Sequence, residues 1–140
     1  WARSPRNFQG KNKQKGLELA SSWLINDFFV MDASYTYSDA TQEGVDEVRR
    51  ASNIGSVNLL WRSTGDFTLN ANAQYNGSQT DIGGVTLDAF TLVNLNVSWT
   101  ATDKLNVYLR LDNLFDESYQ EVFGYQTLGF GASLGVRFSL

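Results

Sequence analysis

The sequence contains no cysteine and no histidine. Disulfides, thiolate or imidazole metal sites, and any Ser-His-Asp or Cys-His catalytic arrangement built from this chain alone are thereby excluded. Missing cysteine does not identify the compartment, but it is compatible with an oxidising one. Positive charge is also scarce: 11 Lys and Arg against 15 Asp and Glu give a net charge of −4 and a pI near 4.7. Nucleic-acid binding needs a basic face interleaved with aromatics, so such a partner is not expected. No apolar run approaches the roughly 18 residues of a transmembrane helix. The mean hydropathy of −0.29 suits a soluble protein, yet a membrane barrel has similar values because half of every strand faces a polar lumen. The chain starts at Trp1 without Met or a signal peptide, and is read as a processed product, a fragment or an engineered protein.

What is present is alternation. Apolar residues recur at every second position in seven runs. They begin with Leu17, Leu19 and Trp23, then Phe29, Met31, Ala33, Tyr35 and Tyr37, then Val57, Leu59 and Trp61. Phe67, Leu69, Ala71, Ala73 and Tyr75 follow, interleaved with Thr68, Asn70, Asn72 and Gln74. Val93 to Trp99, Leu105 to Leu111 and Phe130 to Leu140 complete the set. Period-two patterning on this scale predicts strands with one apolar and one polar face. No segment has a convincing 3.6-residue period, so the chain is expected to be all-β.

The connections take turns in length. Ile25 to Asp27, Arg62 to Gly65 and Ala101 to Asp103 are tight links of turn-forming residues. The links over Ser38 to Asn53, Gly77 to Ala89 and Asn113 to Gly129 are long. An outer-membrane barrel alternates in this way, with short periplasmic turns and long extracellular loops. Trp23, Trp61 and Trp99 are spaced by 38 residues, each just before a tight link. They are expected to form an aromatic girdle at the membrane interface, with Tyr35, Tyr37 and Tyr75 forming the other. The competing reading of these rings is the core of a two-sheet sandwich. With the last strand ending at the periplasm, residues 1–14 form an extracellular-side segment and residues 15–140 seven antiparallel strands, with no plug domain.

A block near the end resembles a known family. Asn113-Leu114-Phe115-Asp116 with Tyr119, then Gly124-Tyr125-Gln126-Thr127 and an alternating strand to the C-terminus, is similar to the closing signature of TonB-dependent receptors. Within that family the likeness is greatest to the cobalamin receptor and the siderophore and haem receptors. Lys15-Gly16-Leu17-Glu18-Leu19 and Tyr35-Thr36-Tyr37-Ser38-Asp39-Ala40 resemble a strand start and a strand exit of the same family. Family members commonly have Arg-Pro and a nearby His after the second strand, where Arg49-Arg50 here precedes Ala51-Ser52-Asn53. They usually end on an aromatic residue read by the barrel-assembly machinery. Here that C-terminal assembly signal is carried by Phe138 and Leu140.

The resemblance implies an antiparallel transmembrane β-barrel of about 22 strands with a plugged lumen, importing a scarce nutrient across the bacterial outer membrane under the drive of TonB. Outer-membrane lipid and lipopolysaccharide, the remainder of barrel and plug, TonB acting through that plug, and the assembly machinery are the implied partners. No cofactor and no enzymatic activity are implied. Seven strands are an odd number, and single-chain bacterial barrels close with an even one. The chain is therefore read as about seven or eight strands of a larger barrel wall. A self-contained small barrel, natural or engineered, and a soluble β-sandwich binding module are the rivals.

Candidate chemistry outside that frame is thin. Asp39, Glu43, Asp46 and Glu47 lack EF-hand spacing, and a solvated loop is the better reading. Arg3, Arg6, Lys11, Lys13 and Lys15 are clustered cations that suit the phosphates of lipopolysaccharide or simply keep the segment solvated. The carboxylates of Asp112, Asp116, Glu117 and Glu121 lack the oriented partner that glycosidase chemistry needs. Arg110 and Arg137 are expected to join Asp112 and Glu18 in a lumenal network. Tyr119, Phe123, Tyr125 and Gln126, on the last long link, are the candidate ligand contacts.

Overall fold

The computed structural model describes residues 12–42 and 45–139. Its elements, among the described residues, are strands alone: β1 (Asn12–Asn26), β2 (Phe29–Gln42), β3 (Val45–Asp46), β4 (Asn53–Arg62), β5 (Phe67–Asn76), β6 (Gln79–Asp81), β7 (Val85–Leu87), β8 (Phe90–Thr102), β9 (Leu105–Asp112) and β10 (Gly131–Phe138). The seven long strands form one antiparallel sheet in the order β1-β2-β4-β5-β8-β9-β10, with β3 added to the end of β2. β6 and β7 make a separate hairpin, whose turn uses Gly83 and Gly84 at φ of 86° and 77°, angles that a side chain strongly disfavours.

Among the described residues the large sheet is a single layer with no second sheet packed on either face, and the sandwich is set aside. β1 and β10 each pair with one neighbour, and the sheet does not close on itself among the described residues. A soluble domain would bury a hydrophobic core here. Instead, among the described residues, the buried apolar side chains are only Ala40, Ala51, Leu87 and Phe90, all at one end of the sheet or in its long links.

The tight links sit a residue or two later than the sequence pattern places them. The first turn is Asp27-Phe28, because the Asn26 Oδ1 accepts the Phe28 and Phe29 amides at 2.9 and 3.0 Å. Ser63 does the same for the second, accepting Gly65 N–H and Phe67 N–H on its Oγ at 3.2 and 3.1 Å. Thr102 Oγ1 accepts the Lys104 amide at 3.3 Å in the third. Asn, Ser and Thr compete locally for backbone donors, which is why they start turns.

β1 and β2 are longer than the alternation indicates, with 15 and 14 residues. About 9–11 residues suffice for a tilted strand to cross a bilayer. The ladder continues to the Asn12 and Gln42 pair, so this hairpin rises past the other strands into the region expected to be loop.

Candidate functional site: a two-faced wall and its outer loops

Residues paired across an antiparallel ladder share a face, so the registers sort every side chain. One face carries the row Leu19, Tyr35, Gly55, Tyr75 and Thr91, and below it Ser21, Ala33, Val57, Ala73 and Val93. Next come Trp23, Met31, Leu59, Ala71, Leu95, Leu111 and Ala132, then Phe29, Trp61, Leu69, Val97, Leu109 and Leu134. Phe67, Trp99, Val107 and Val136 form the row nearest the tight turns. Leu17, Leu19, Val57, Leu134 and Val136 on this face are 43–73% exposed. An apolar surface continuous over seven strands is far larger than a soluble monomer tolerates.

The three tryptophans occupy three successive rows. Trp23 on β1, Trp61 on β4 and Trp99 on β8 each lie two strands apart and one row closer to the turns. Tyr37 on β2 and Tyr75 on β5 repeat that step at the other end of the strands. A step of two residues, at ~3.4 Å each, over two inter-strand gaps of ~4.8 Å is an angle of about 35°. That is the tilt of strands in an outer-membrane barrel, so the rings lie on a line inclined to the rows. Trp61 stacks on Phe29 at 6.2 Å and Trp99 on Phe67 at 5.7 Å between centroids.

The opposite face is a polar ladder. Ser34 and Ser56 pair through their hydroxyls at 2.8 Å, Asn70 donates to Asn58 at 3.0 Å, and Thr100 donates to Asn106 at 3.0 Å. Arg110 Nε donates to both oxygens of Asp112, at 2.9 and 2.8 Å. Arg137 lies over the Tyr108 ring, 5.6 Å from its centroid. Glu18 is on β1, at the far side of the sheet from β9 and β10, so the described sheet does not bring it to the two arginines.

At the end away from the tight turns, the long links converge on one carboxylate. Asp81, 1% exposed, accepts the Ile82 and Phe123 amides and the Arg49 Nε, each at 2.6 Å. Arg49 sits in the left-handed region at φ 59° and its amide donates to Thr80 O at 2.7 Å. Gln79 Nε2 donates to Glu121 O at 2.9 Å. Phe90 and Tyr119 stack at 4.3 Å. The Phe123 amide, then the Ile82 amide and the Arg49 side chain, hold the Asp81 carboxyl below its ordinary pKa, and burial opposes them only in part. The sequence reading passes over Asp81, and notes Arg49 only as half of the Arg49-Arg50 pair that departs from the family's Arg-Pro. A lone Asp before Ile-Gly-Gly has the look of an ordinary turn, and its partners lie 32 and 42 residues away.

The family-like block proves to be a clasp. Asn113, 5% exposed, has φ 48° and Asp116 has φ 54°. Asn113 Oδ1 accepts the Glu117 amide at 2.8 Å, while its Nδ2 donates to Glu117 O at 2.9 Å and Leu128 O at 3.4 Å. Its own amide donates to Asn94 Oδ1 at 2.9 Å. Asp116 Oδ1 accepts the Phe130 amide at 2.7 Å, and a Cβ on Gly129 would sit 2.5 Å from that oxygen. The two ends of the last long link are thereby drawn together. Leu114 is half-buried and Phe115 is 73% exposed.

Of the candidate ligand contacts, Tyr119 is partly buried against Phe90, whereas Phe123, Tyr125 and Gln126 are exposed. Gly124 turns between them at φ 81°. Tyr125 and Gln126 line a hollow of about 420 Å³ with Arg49, Glu121 and Thr127. Tyr119 and Phe123 line another of about 350 Å³ with the β6–β7 hairpin and Phe90. Arg3, Arg6, Lys11, Glu43 and Leu140 lie outside the described residues. Among the described residues, no three carboxylates gather closely enough to hold a metal ion.

Comparison with known proteins accounts for this geometry. Residues 2–114 match the family model described as TonB dependent receptor-like, beta-barrel. The chain is 32% identical over 130 residues to the vitamin B12 transporter BtuB of Photobacterium profundum, covering 89% of this chain and 21% of that protein. The pyoverdine-bound receptor FpvA of P. aeruginosa superposes with a TM-score of 0.79 at 19% identity, over 92% of this chain and 20% of the receptor. The ferric-catecholate import receptor Fiu from E. coli K12 gives 0.77 at 19% identity, over 92% and 21%. The chain thus spans about a fifth of the length of the relatives it matches. It belongs to the TonB-dependent receptor family, as part of the family's β-barrel in the bacterial outer membrane.

Proposed function

We propose that this chain is a wall section of a TonB-dependent transporter that brings a scarce nutrient of cobalamin, siderophore or haem type across the outer membrane. The observation that carries this reading is the division of one tilted sheet into a continuous apolar face and a polar ladder. Lipid covers the first and a wet lumen or plug the second. BtuB of P. profundum is a vitamin B12 transporter, which makes cobalamin the first substrate to test.

In this reading the edges of β1 and β10 are paired by the remainder of the barrel, and TonB acts through the plug. The barrel-assembly machinery reads the Phe138 and Leu140 end, and lipopolysaccharide borders the outer rim. Trp23, Trp61 and Trp99 form the periplasmic girdle, and Tyr35, Tyr37 and Tyr75 the outer one. Tyr119, Phe123, Tyr125 and Gln126 touch the arriving nutrient, and the wall catalyses no reaction.

The test uses the whole receptor. Extracted in detergent, it should migrate as a compact species that slows on boiling, and cells lacking other routes should take up labelled cobalamin or a ferric siderophore through it. Single-tryptophan versions keeping Trp23, Trp61 or Trp99 should be quenched by lipids brominated at one common depth. Three different depths would remove the girdle, and a water-soluble receptor needing no detergent would remove the proposal.

A further inference from the structure

The outer end of the β4–β5 ladder holds a chemically labile pair of residues. Of the chain's asparagines only Asn76 precedes a glycine. It is the last residue of β5 and pairs with Ile54. An asparagine side-chain carbonyl is open to attack by the backbone nitrogen of the next residue, and a side chain on that residue obstructs the approach. Gly77 offers no such obstruction. Asn70 and Asn72, each followed by alanine, are held in the middle of the same ladder.

The fold both demands that glycine and restrains it. A Cβ on Gly77 would sit 2.9 Å from Asn53 O, so a larger residue would have to displace the start of β4. The Gly77 amide donates to the same oxygen at 2.8 Å, and Gly77 is buried. Its nitrogen is therefore occupied while the ladder is closed. Asn76 Nδ2, the group that must leave, donates to Gly77 O at 3.3 Å. Asn53 is in turn anchored by Tyr35, whose hydroxyl donates to its Oδ1 at 2.6 Å. The end of a ladder opens more readily than its centre, so the restraint is local and intermittent.

We propose that Asn76 is a site of spontaneous covalent modification, closed by the Gly77–Asn53 hydrogen bond and open whenever the outer end of the β4–β5 ladder parts. In the open state the Gly77 nitrogen gives up its proton to solvent and bonds to Asn76 Cγ. The Cγ–Nδ2 bond breaks, and the amide leaves as ammonia with a proton taken back from solvent. One water then opens the cyclic imide at either carbonyl, giving aspartate or, with the backbone rerouted through the side chain, isoaspartate. The new carboxylate cannot donate to Gly77 O and repels it, so the ladder end closes less well than before. The second long link, with Asp81 a few residues on, is loosened at its root. Openings of the outer end thus accumulate as a permanent mark.

The experiment follows the full receptor, folded in detergent and, in parallel, unfolded in urea, at one mildly alkaline pH. Peptide mapping by mass spectrometry quantifies aspartate and isoaspartate at each asparagine, and heat-modifiability is recorded for every variant. In urea Asn76 should react before any other asparagine. Folding should slow it on the order of a hundredfold, the protection of a ladder end that is open about a hundredth of the time. Tyr35→Phe releases Asn53 and should speed the reaction about fivefold in the folded receptor alone. Asn76→Asp, the product itself, should hasten amide hydrogen exchange at Gly77 and Ser78 and leave Asn70 to Ala73 protected. The site is overturned if folded and unfolded receptor react alike, or if another asparagine reacts first in urea. A heat-modifiable Tyr35→Phe receptor that keeps the wild-type rate overturns the gating by Asn53.

Discussion

The Asp81 carboxylate accepts the Phe123 backbone amide at 2.6 Å across 42 residues of sequence, joining the second long link to the third. The Arg49 side chain brings in the first link at the same carboxylate. One side chain thus ties together the three long links.

Asp81→Asn keeps the shape but weakens three charge-assisted bonds at once. Limited proteolysis between Tyr119 and Leu128 should speed up on the order of tenfold, while heat-modifiability of the barrel stays unchanged. Unaltered cleavage would show that Phe90–Tyr119 stacking alone holds the loop.

Acid should do what the substitution does. The Asp81 pKa is lowered in the folded state, so its contribution to holding the loops is complete above the unfolded carboxylate value of about 4. It is lost as pH falls through the lower folded value. Acid protease cleavage at Phe123 and Tyr125 should therefore rise in the wild type well below pH ~4 and be insensitive to pH over that range in Asp81→Asn. A rise that begins near neutrality would assign the loop's stability to another group.

The Asn113 clasp should be nearly as sensitive. Asn113→Ala removes three side-chain hydrogen bonds and places a Cβ-bearing residue without local compensation at φ 48°, at a cost of about 1–3 kcal/mol. Asn113→Gly tolerates the angle and should cost less than Asn113→Ala. Gly129→Ala should displace the Asp116 carboxylate from the Phe130 amide. Denaturant melts of the receptor that rank Asn113→Gly below Asn113→Ala would refute the backbone part of this account.

Neighbouring residues on opposite faces should respond oppositely to charge. Val57→Arg puts a guanidinium on the apolar face midway between the Tyr and Trp rows, at a cost of about 2–4 kcal/mol. Asn58→Arg faces the polar ladder, opposite Asp32, and should be close to neutral. Folding yield into lipid vesicles compares the two, and equal losses would mean that the faces are wrongly assigned.

Much of the wall is legible in the sequence alone. Leu69, Ala71 and Ala73 alternate with Asn70 and Asn72 because a strand's side chains point up and down in turn, and one face meets lipid while the other meets water. The even spacing of Trp23, Trp61 and Trp99 conceals hairpins of unequal height, because the longer β2 is followed by a shorter link than the shorter β5 is. The turn boundaries were less legible, since Asn26, Ser63 and Thr102 act through hydrogen bonds that alternation does not encode. The extension of β1 and β2 to Asn12 and Gln42 escaped for the same reason: past the bilayer no apolar period marks a strand, and only the paired backbone sustains it.

By itself, then, the sequence determined the all-β class, the two faces and the alternation of short and long connections, all of them local and periodic properties. Only the tertiary structure decided that Trp23, Trp61 and Trp99 climb one row per hairpin, that Asp81 gathers Arg49 and Phe123, and that Asn113 closes its own loop. Those depend on register and on contacts between residues far apart in the chain, where a single hydrogen-bonding side chain outweighs any pattern its neighbours display.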